Sequence, residues 1–114
     1  LVLTPEEWVR RHLVAWLIGS GVPEYNICQE YPVRVNGAEQ RADVVVVGRQ
    51  GAPLLLVECK AAEVTVDASV LSQAVRYNSV LGARFVMLTN GMTHYVYERS
   101  GTQYVPLASL PRLF

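Results

Sequence analysis

Asp43, Glu58 and Lys60 are the residues whose types and spacing suit chemistry best. They sit in RADVVVVGRQGAPLLLVECK, which spans Arg41 to Lys60. This stretch reads as two apolar strands, DVVVV and PLLLV, joined by a turn rich in glycine and proline. Asp43 lies five residues before Gly48 and Glu58 five residues after Pro53, so antiparallel pairing sets the two carboxylates opposite or nearly opposite each other. Lys60 follows Glu58 by two residues and shares its face on a strand. Two like charges meeting at the end of apolar strands call for a cation. Asp43 and Glu58, with the carbonyl of Cys59 as a third oxygen, would suit Mg²⁺, with Mn²⁺ as a substitute; Mg²⁺ takes few protein ligands and keeps several waters. Such an ion activates a water and neutralises phosphate charge, and Lys60 would position that water or stabilise the phosphoryl group. The plainer reading is a salt-bridged strand end, with Arg41 and Lys60 compensating the acids.

Usage of charge sharpens the first reading. Ten basic and ten acidic residues leave no net charge, yet nine of the basic ones are arginine and Lys60 is the only lysine. Asp43 and Asp67 are the only aspartates. A neutral chain is not built to grip duplex DNA strongly by itself. Cys28 and Cys59 have no CxxC spacing, which argues against a zinc site or a disulfide scaffold and for a reducing, cytoplasmic setting. The apolar runs fall far short of the roughly 18 residues of a membrane span. No serine-hydrolase elbow, phosphate loop or HExxH appears.

Elements that would position the trio can be read in order. Thr4-Pro5-Glu6-Glu7 starts a helix, with Thr4 at the N-cap and Glu7 completing a capping box. Val9, Leu13, Trp16 and Leu17 form its apolar stripe, Trp8 and Trp16 read as packing residues, His12 as solvated, and Gly19 and Gly21 as the stop. Ile27 to Val35 reads as a strand, with Pro32 assigning it to an edge, and Asn36-Gly37 turns it into the next. Asp67 caps a helix from Ala68 to about Leu81, whose inward face would be Val70, Gln73, Ala74, Tyr77 and Leu81. Strands at Arg84–Thr89, His94–Glu98 and Gln103–Val105 follow, the first two joined by Asn90-Gly91, and then an apolar tail. A single domain over residues 1–114 is expected, of α/β class, with a mixed central sheet flanked by helices. Gln73 would aim its amide at the carboxylate end of the sheet. Glu7 could complete a metal shell, but the capping box already explains it; Glu6, on the Val9/Leu13 face, competes, and Glu30 reads as solvent-facing.

The spacing Asp43, then Glu58-Cys59-Lys60, resembles the PD-(D/E)XK nuclease signature, with Ala42 in place of its proline. More narrowly, TPEEWVRRHL, EYPVRVNG, RADVVVV, LLLVECKA, LSQAVRYNSVLGA and VMLTNGMTHYVYE resemble the N-terminal nuclease domain of type I restriction enzyme R subunits. That resemblance implies a restriction-endonuclease-like core of helix, three strands, helix and further strands, and a metal-dependent DNA endonuclease. Asp43 and Glu58 would hold Mg²⁺, Lys60 would be catalytic, Gln73 would match the QxxxY helix motif, and Glu7 would be the nearest match to a helix-one glutamate. In full R subunits a helicase motor follows the domain, so DNA and other restriction–modification subunits are the implied partners, and the chain reads as an excised domain or a stand-alone relative. Pairing of exposed edges into a homodimer would allow two strands to be cut. Two rivals stand beside this reading: the same fold kept only to bind nucleic acid or a partner protein, and a structural domain whose trio is an ion-pair cluster.

Overall fold

The computed structural model describes residues 2–114. Helix α1 (Pro5–Gly19) is followed by strands β1 (Ile27–Val35), β2 (Ala38–Val47) and β3 (Pro53–Cys59), helix α2 (Ala68–Leu81), and strands β4 (Phe85–Thr89), β5 (His94–Ser100) and β6 (Gln103–Leu107). The six strands lie in one sheet in chain order. All neighbours are antiparallel except β3 and β4, which run parallel because α2 carries the chain across between them. The expected α/β architecture and element order are therefore observed. No helix among the described residues is long and apolar enough to cross a membrane.

Each helix covers one face of the sheet. Val9, Leu13 and Leu17 of α1 pack on Val44, Val46, Leu55, Val57, Phe85 and Met87. Val70, Ala74 and Tyr77 of α2 pack on Val45, Leu56, Val86 and Leu88 on the other side. Because both faces are covered, the VVVV and LLLV runs are continuous rather than alternating with polar residues. Local chemistry sets the helix ends. Thr4 Oγ1 accepts from Glu7 N at 3.2 Å while Thr4 N donates to Glu7 Oε1 at 3.0 Å, the expected capping box. Asp67 Oδ1 accepts from Ser69 N at 3.0 Å, and Gly82 ends α2 in the left-handed region at φ 69°.

Two features bear on the site. Val44 belongs to the α1-side core and Ala42 to the α2-side core, so the pleat's alternation breaks at Asp43 between them. The β1–β2 pairing skips the same place, passing from Gln29↔Val44 to Tyr31↔Ala42, and Glu30 there has φ 50°. Elsewhere along α1, Gly91 (φ 85°) lets the β4–β5 turn approach the helix: an added Cβ would sit 3.4 Å from Val9 Cγ2.

Two expectations need correction. Trp8 and Trp16, expected as packing residues, are 54% and 48% exposed. His12 is exposed as expected, with its ring stacked on Trp8. The inward face of α2 includes Asn78, which the apolar pattern passed over, while Gln73 and Leu81 are only half-buried. Asn78 Oδ1 accepts from Ala83 N at 2.8 Å, and its Nδ2 donates to Ala83 O at 2.9 Å and to Tyr104 Oη at 3.0 Å. One amide thus ties the end of α2, the entry to β4, and β6. Asn78→Leu would strand the buried Ala83 N–H and leave Ala83 O only its longer bond from Arg99 Nε at 3.4 Å, and we expect a loss of about 2–3 kcal/mol, read as a lower urea midpoint with unchanged m-value.

Candidate functional site

Asp43 and Glu58 meet where β2 and β3 part. The ladder pairs Val44 with Val57, and the next pair in that register is Asp43 with Glu58. No backbone pairing continues there. Instead Asp43 Oδ2 accepts from the Cys59 N–H at 2.7 Å, so a side chain closes the gap that the diverging strands open. On its other side β3 keeps its parallel partner through Glu58↔Leu88 and Cys59↔Thr89, and Lys60 N donates to Thr89 O at 2.8 Å. The ECK segment is therefore held from both flanks.

Glu58 is only 4% exposed, and its Oε1 is buried without a hydrogen-bond partner. Burial, then the Asp43 charge, pushes its pKa up to about 9, with Lys60 offsetting part of the rise. A carboxylic acid in an apolar, like-charged setting keeps its proton unless a cation takes its place. Cys59, buried among the same charges, has its thiol pushed up by burial, Asp43 and Glu58, so it is an inert packing group. Lys60 is half-buried and makes no ion pair within 4.0 Å of an acid among the described residues. That is unlike the salt-bridged strand end considered above, in which Lys60 was to compensate the acids.

An open cleft of about 510 Å³ is lined by Glu6, Arg10, Glu30, Asp43, Ala61 and Glu63, with residues of the first turn of α1; Glu58 and Lys60 are not in its lining. Glu6 and Glu7 play different parts in it. Glu7 is spoken for: its carboxylate is in the capping box and 3.8 Å from Arg10 Nη2, and the Thr4 hydrogen bonds hold its pKa low. Glu6 is the one that senses Asp43, its pKa raised by partial burial and the Asp43 charge and lowered in part by Lys60 and Arg10. Glu30, exposed, bridges Arg10 at 3.4 Å and Arg41 at 3.8 Å across the rim. Arg10, whose Nε is buried without a partner, is a cleft residue that the sequence pattern did not single out; its place one turn after Glu6 was the available signal.

Gln73 is elsewhere. Its Nε2 donates to Tyr77 Oη at 3.1 Å, and it lines a hollow with Asn36, Gln40 and Arg76 beside the β1–β2 hairpin rather than the Asp43 cleft. Among the described residues no three His, Cys, Asp or Glu side chains are grouped so as to hold a metal. Two carboxylates and a carbonyl are nonetheless a sufficient protein share for Mg²⁺, which retains waters. The donor chemistry is all hard oxygen, and the orphaned Glu58 Oε1 beside Asp43 is the atom that such a cation would satisfy.

With Glu58 protonated in the fold and ionised in the unfolded chain, its contribution is fully present below about pH 4.5 and is lost as the pH rises toward 9. In chelator, stability should fall across that window by up to about 1.4 kcal/mol per pH unit, read as a falling melting temperature. Glu58→Gln, neutral at every pH, should flatten the slope, and Mg²⁺ should raise the melting temperature of the native chain most at the alkaline end.

The sequence model of the type I restriction enzyme R protein N terminus (HSDR_N) matches residues 5–111. No curated protein compared with the chain matches it significantly. Among solved structures, the chain is similar to a fragment of a proposed HsdR subunit of a type I restriction enzyme from Vibrio vulnificus YJ016, with TM-score 0.72 and 24% identity over 96% of this chain and 24% of that one. A proposed nuclease of the DUF820 group from Anabaena variabilis ATCC 29413 gives TM-score 0.61 and 12% identity, covering 96% of this chain and 70% of that one. The type IIG restriction endonuclease BpuSI gives TM-score 0.52 and 20% identity over 89% of this chain and 12% of that one. At these identities the likenesses establish the fold, and the chain spans 24% of the first of these relatives.

Proposed function

The chain belongs to the family of type I restriction enzyme R protein N termini, a nuclease-like domain, and from that premise we propose that it hydrolyses phosphodiester bonds in DNA with a divalent cation, Mg²⁺ or Mn²⁺. The observation that carries this is the Glu58 carboxylate, buried, unpartnered at Oε1 and set beside Asp43. Asp43 and Glu58 would hold the cation, with the Cys59 carbonyl as a third oxygen. When bound, the cation supplies a water acidic enough to attack at neutral pH and offsets charge on a phosphate oxygen.

The chain's own residues do the rest. The Cys59 N–H fixes the Asp43 carboxylate, so one oxygen is oriented by the backbone and the other is left for a ligand. Lys60, two residues beyond Glu58 and without an ion pair among the described residues, would set its ammonium where phosphoryl charge grows in the transition state. Arg10 in the cleft wall offers a second cation to a phosphate. Glu6 replaces Glu7 as the helix-one glutamate of the site, because Glu7 is committed to capping. Gln73 acts through the helix, steadying Tyr77, rather than at the scissile bond.

Zero net charge fits a division of labour in which other parts of an R subunit would grip duplex DNA and this chain would cut it. Both cysteines are free thiols, in keeping with a cytoplasmic setting. Plasmid DNA incubated with the chain and Mg²⁺ or Mn²⁺ should be nicked, and chelator should stop it. Asp43→Ala and Lys60→Ala should each lower the rate by about a hundredfold or more, Glu6→Gln by about tenfold, and Glu7→Gln by little. Equal loss from Glu6→Gln and Glu7→Gln would overturn the assignment of Glu6. Divalent-dependent DNA binding with no cutting would favour the module that binds without catalysis.

A further inference from the structure

The turn that follows β4 has a side chain with more bonds than a turn needs. Asn90 opens the Asn90-Gly91 turn, and it is buried, at 7% exposed. Its Oδ1 accepts from Met92 N at 2.9 Å and from Thr93 N at 2.8 Å, turn chemistry that an aspartate performs as well. The amide nitrogen has no part in that. Asn90 Nδ2 donates instead to Val64 O at 2.8 Å, in a connection on the far side of α2 in the chain.

That connection runs from Lys60 to Asp67, between β3 and α2, with no strand or helix of its own. It begins with Lys60 N donating to Thr89 O at 2.8 Å and folds into a turn closed by Val64 N donating to Ala61 O at 2.9 Å. Asn90 then takes Val64 O, so consecutive residues of the β4 end, Thr89 and Asn90, hold both ends of the turn. The corner that holds them is itself braced: Thr89 Oγ1 accepts from Gly91 N at 3.0 Å and lies 2.7 Å from His94 Nδ1. Ala61 and Glu63 of the fastened turn line the Asp43 cleft. The Lys60 charge is felt at Glu58 and at Glu6, so its ammonium lies toward the carboxylates. A segment outside helix and sheet has no ladder to fix its course, and backbone freedom there blurs the position of any side chain it carries. Misplacement by about 1 Å is enough to slow a reaction by about a hundredfold.

We propose that Asn90 is a positioning residue for Lys60, its bond to Val64 O fastening the connection that carries the lysine beside Asp43 and Glu58; the use made of Lys60 rests on the nuclease reading. Asn90→Asp keeps the Oδ1 acceptor and removes the donor. Asn90→Ser, neutral and too short to reach Val64, controls for the added charge. Lys60 is the chain's only lysine, so ¹⁵N-lysine labelling gives one backbone amide to follow. In chelator that amide should exchange with heavy water about tenfold faster in both variants, with circular dichroism matching the native chain. Calorimetric Mn²⁺ affinity should stay within about twofold, because the Cys59 N–H and the β3–β4 pairing hold the two acids without the connection. In plasmid cutting kcat should fall about tenfold while KM for DNA stays within about twofold. Added to Lys60→Ala, Asn90→Asp should slow cutting no further, since it acts through the ammonium already removed.

Unchanged exchange in both variants would overturn the proposal, and so would an effect confined to Asn90→Asp, which would be one of charge. A fall in Mn²⁺ affinity as large as the fall in rate, or a double variant slowed by the full Asn90→Asp factor, would make Asn90 a residue of the fold at large and overturn it too. Failure of the native chain to cut would remove the nuclease reading, and the tether would then stand or fall on the exchange rate. Native cutting that both Asn90 variants match would keep the nuclease and remove the role of Asn90.

Discussion

The hydrogen bond from the Cys59 N–H to Asp43 Oδ2 determines where everything else in this domain can act. Strands β2 and β3 separate at that point, and a backbone group in so buried a place must still be paired. Using a carboxylate instead of a carbonyl as the acceptor fixes an acid at the strand end without a free rotor. It also leaves Glu58, the next residue in register, facing a like charge. The break in pleat at Asp43, the positive φ at Glu30 and the parallel tether of β3 to β4 all serve the same placement.

Burial and charge then act in one direction. Glu58 cannot be hydrated and cannot ionise beside Asp43 at little cost, so in the protein alone it keeps a proton. Lys60 offsets this only partly, and Glu6 adds a further carboxylate at the mouth. A set of groups so mutually unfavourable is poor as a structural ion-pair cluster, which would have matched Lys60 to an acid within salt-bridge distance. As a holder for a divalent ion the same set is consistent. Arg10 and Glu30 complete a mixed-charge rim.

Most of the fold was legible in the sequence because its local signals agree with one another. Thr4 with Glu7, Asp67, and Asn36-Gly37 each mark a boundary through a specific hydrogen bond or φ requirement, and the structure uses every one of them. Apolar runs doubly covered by helices gave β2 and β3. The opposition of Asp43 and Glu58 followed from turn counting alone, and the register agrees with it. What was not legible depends on side-chain direction. A tryptophan reads as core by type, and only the packing of Val9, Leu13 and Leu17 reveals that Trp8 and Trp16 lie outside the buried stripe. Gln73 could be placed on the correct helix, yet its preference for Tyr77 Oη is a choice between partners that spacing cannot rank. Glu6 and Glu7 both border the cleft, and what separates them is the capping box that takes up the Glu7 carboxylate.

Proton release on divalent binding is the most direct test of the central claim. Calorimetric titration of Mn²⁺ into the chain at about pH 7.5, repeated in buffers of different ionisation enthalpy, should give one binding event that liberates about one proton per ion. That proton should vanish in Glu58→Gln, and binding itself should be lost in Asp43→Ala. Binding without proton release, or binding that survives Asp43→Ala, would contradict the account.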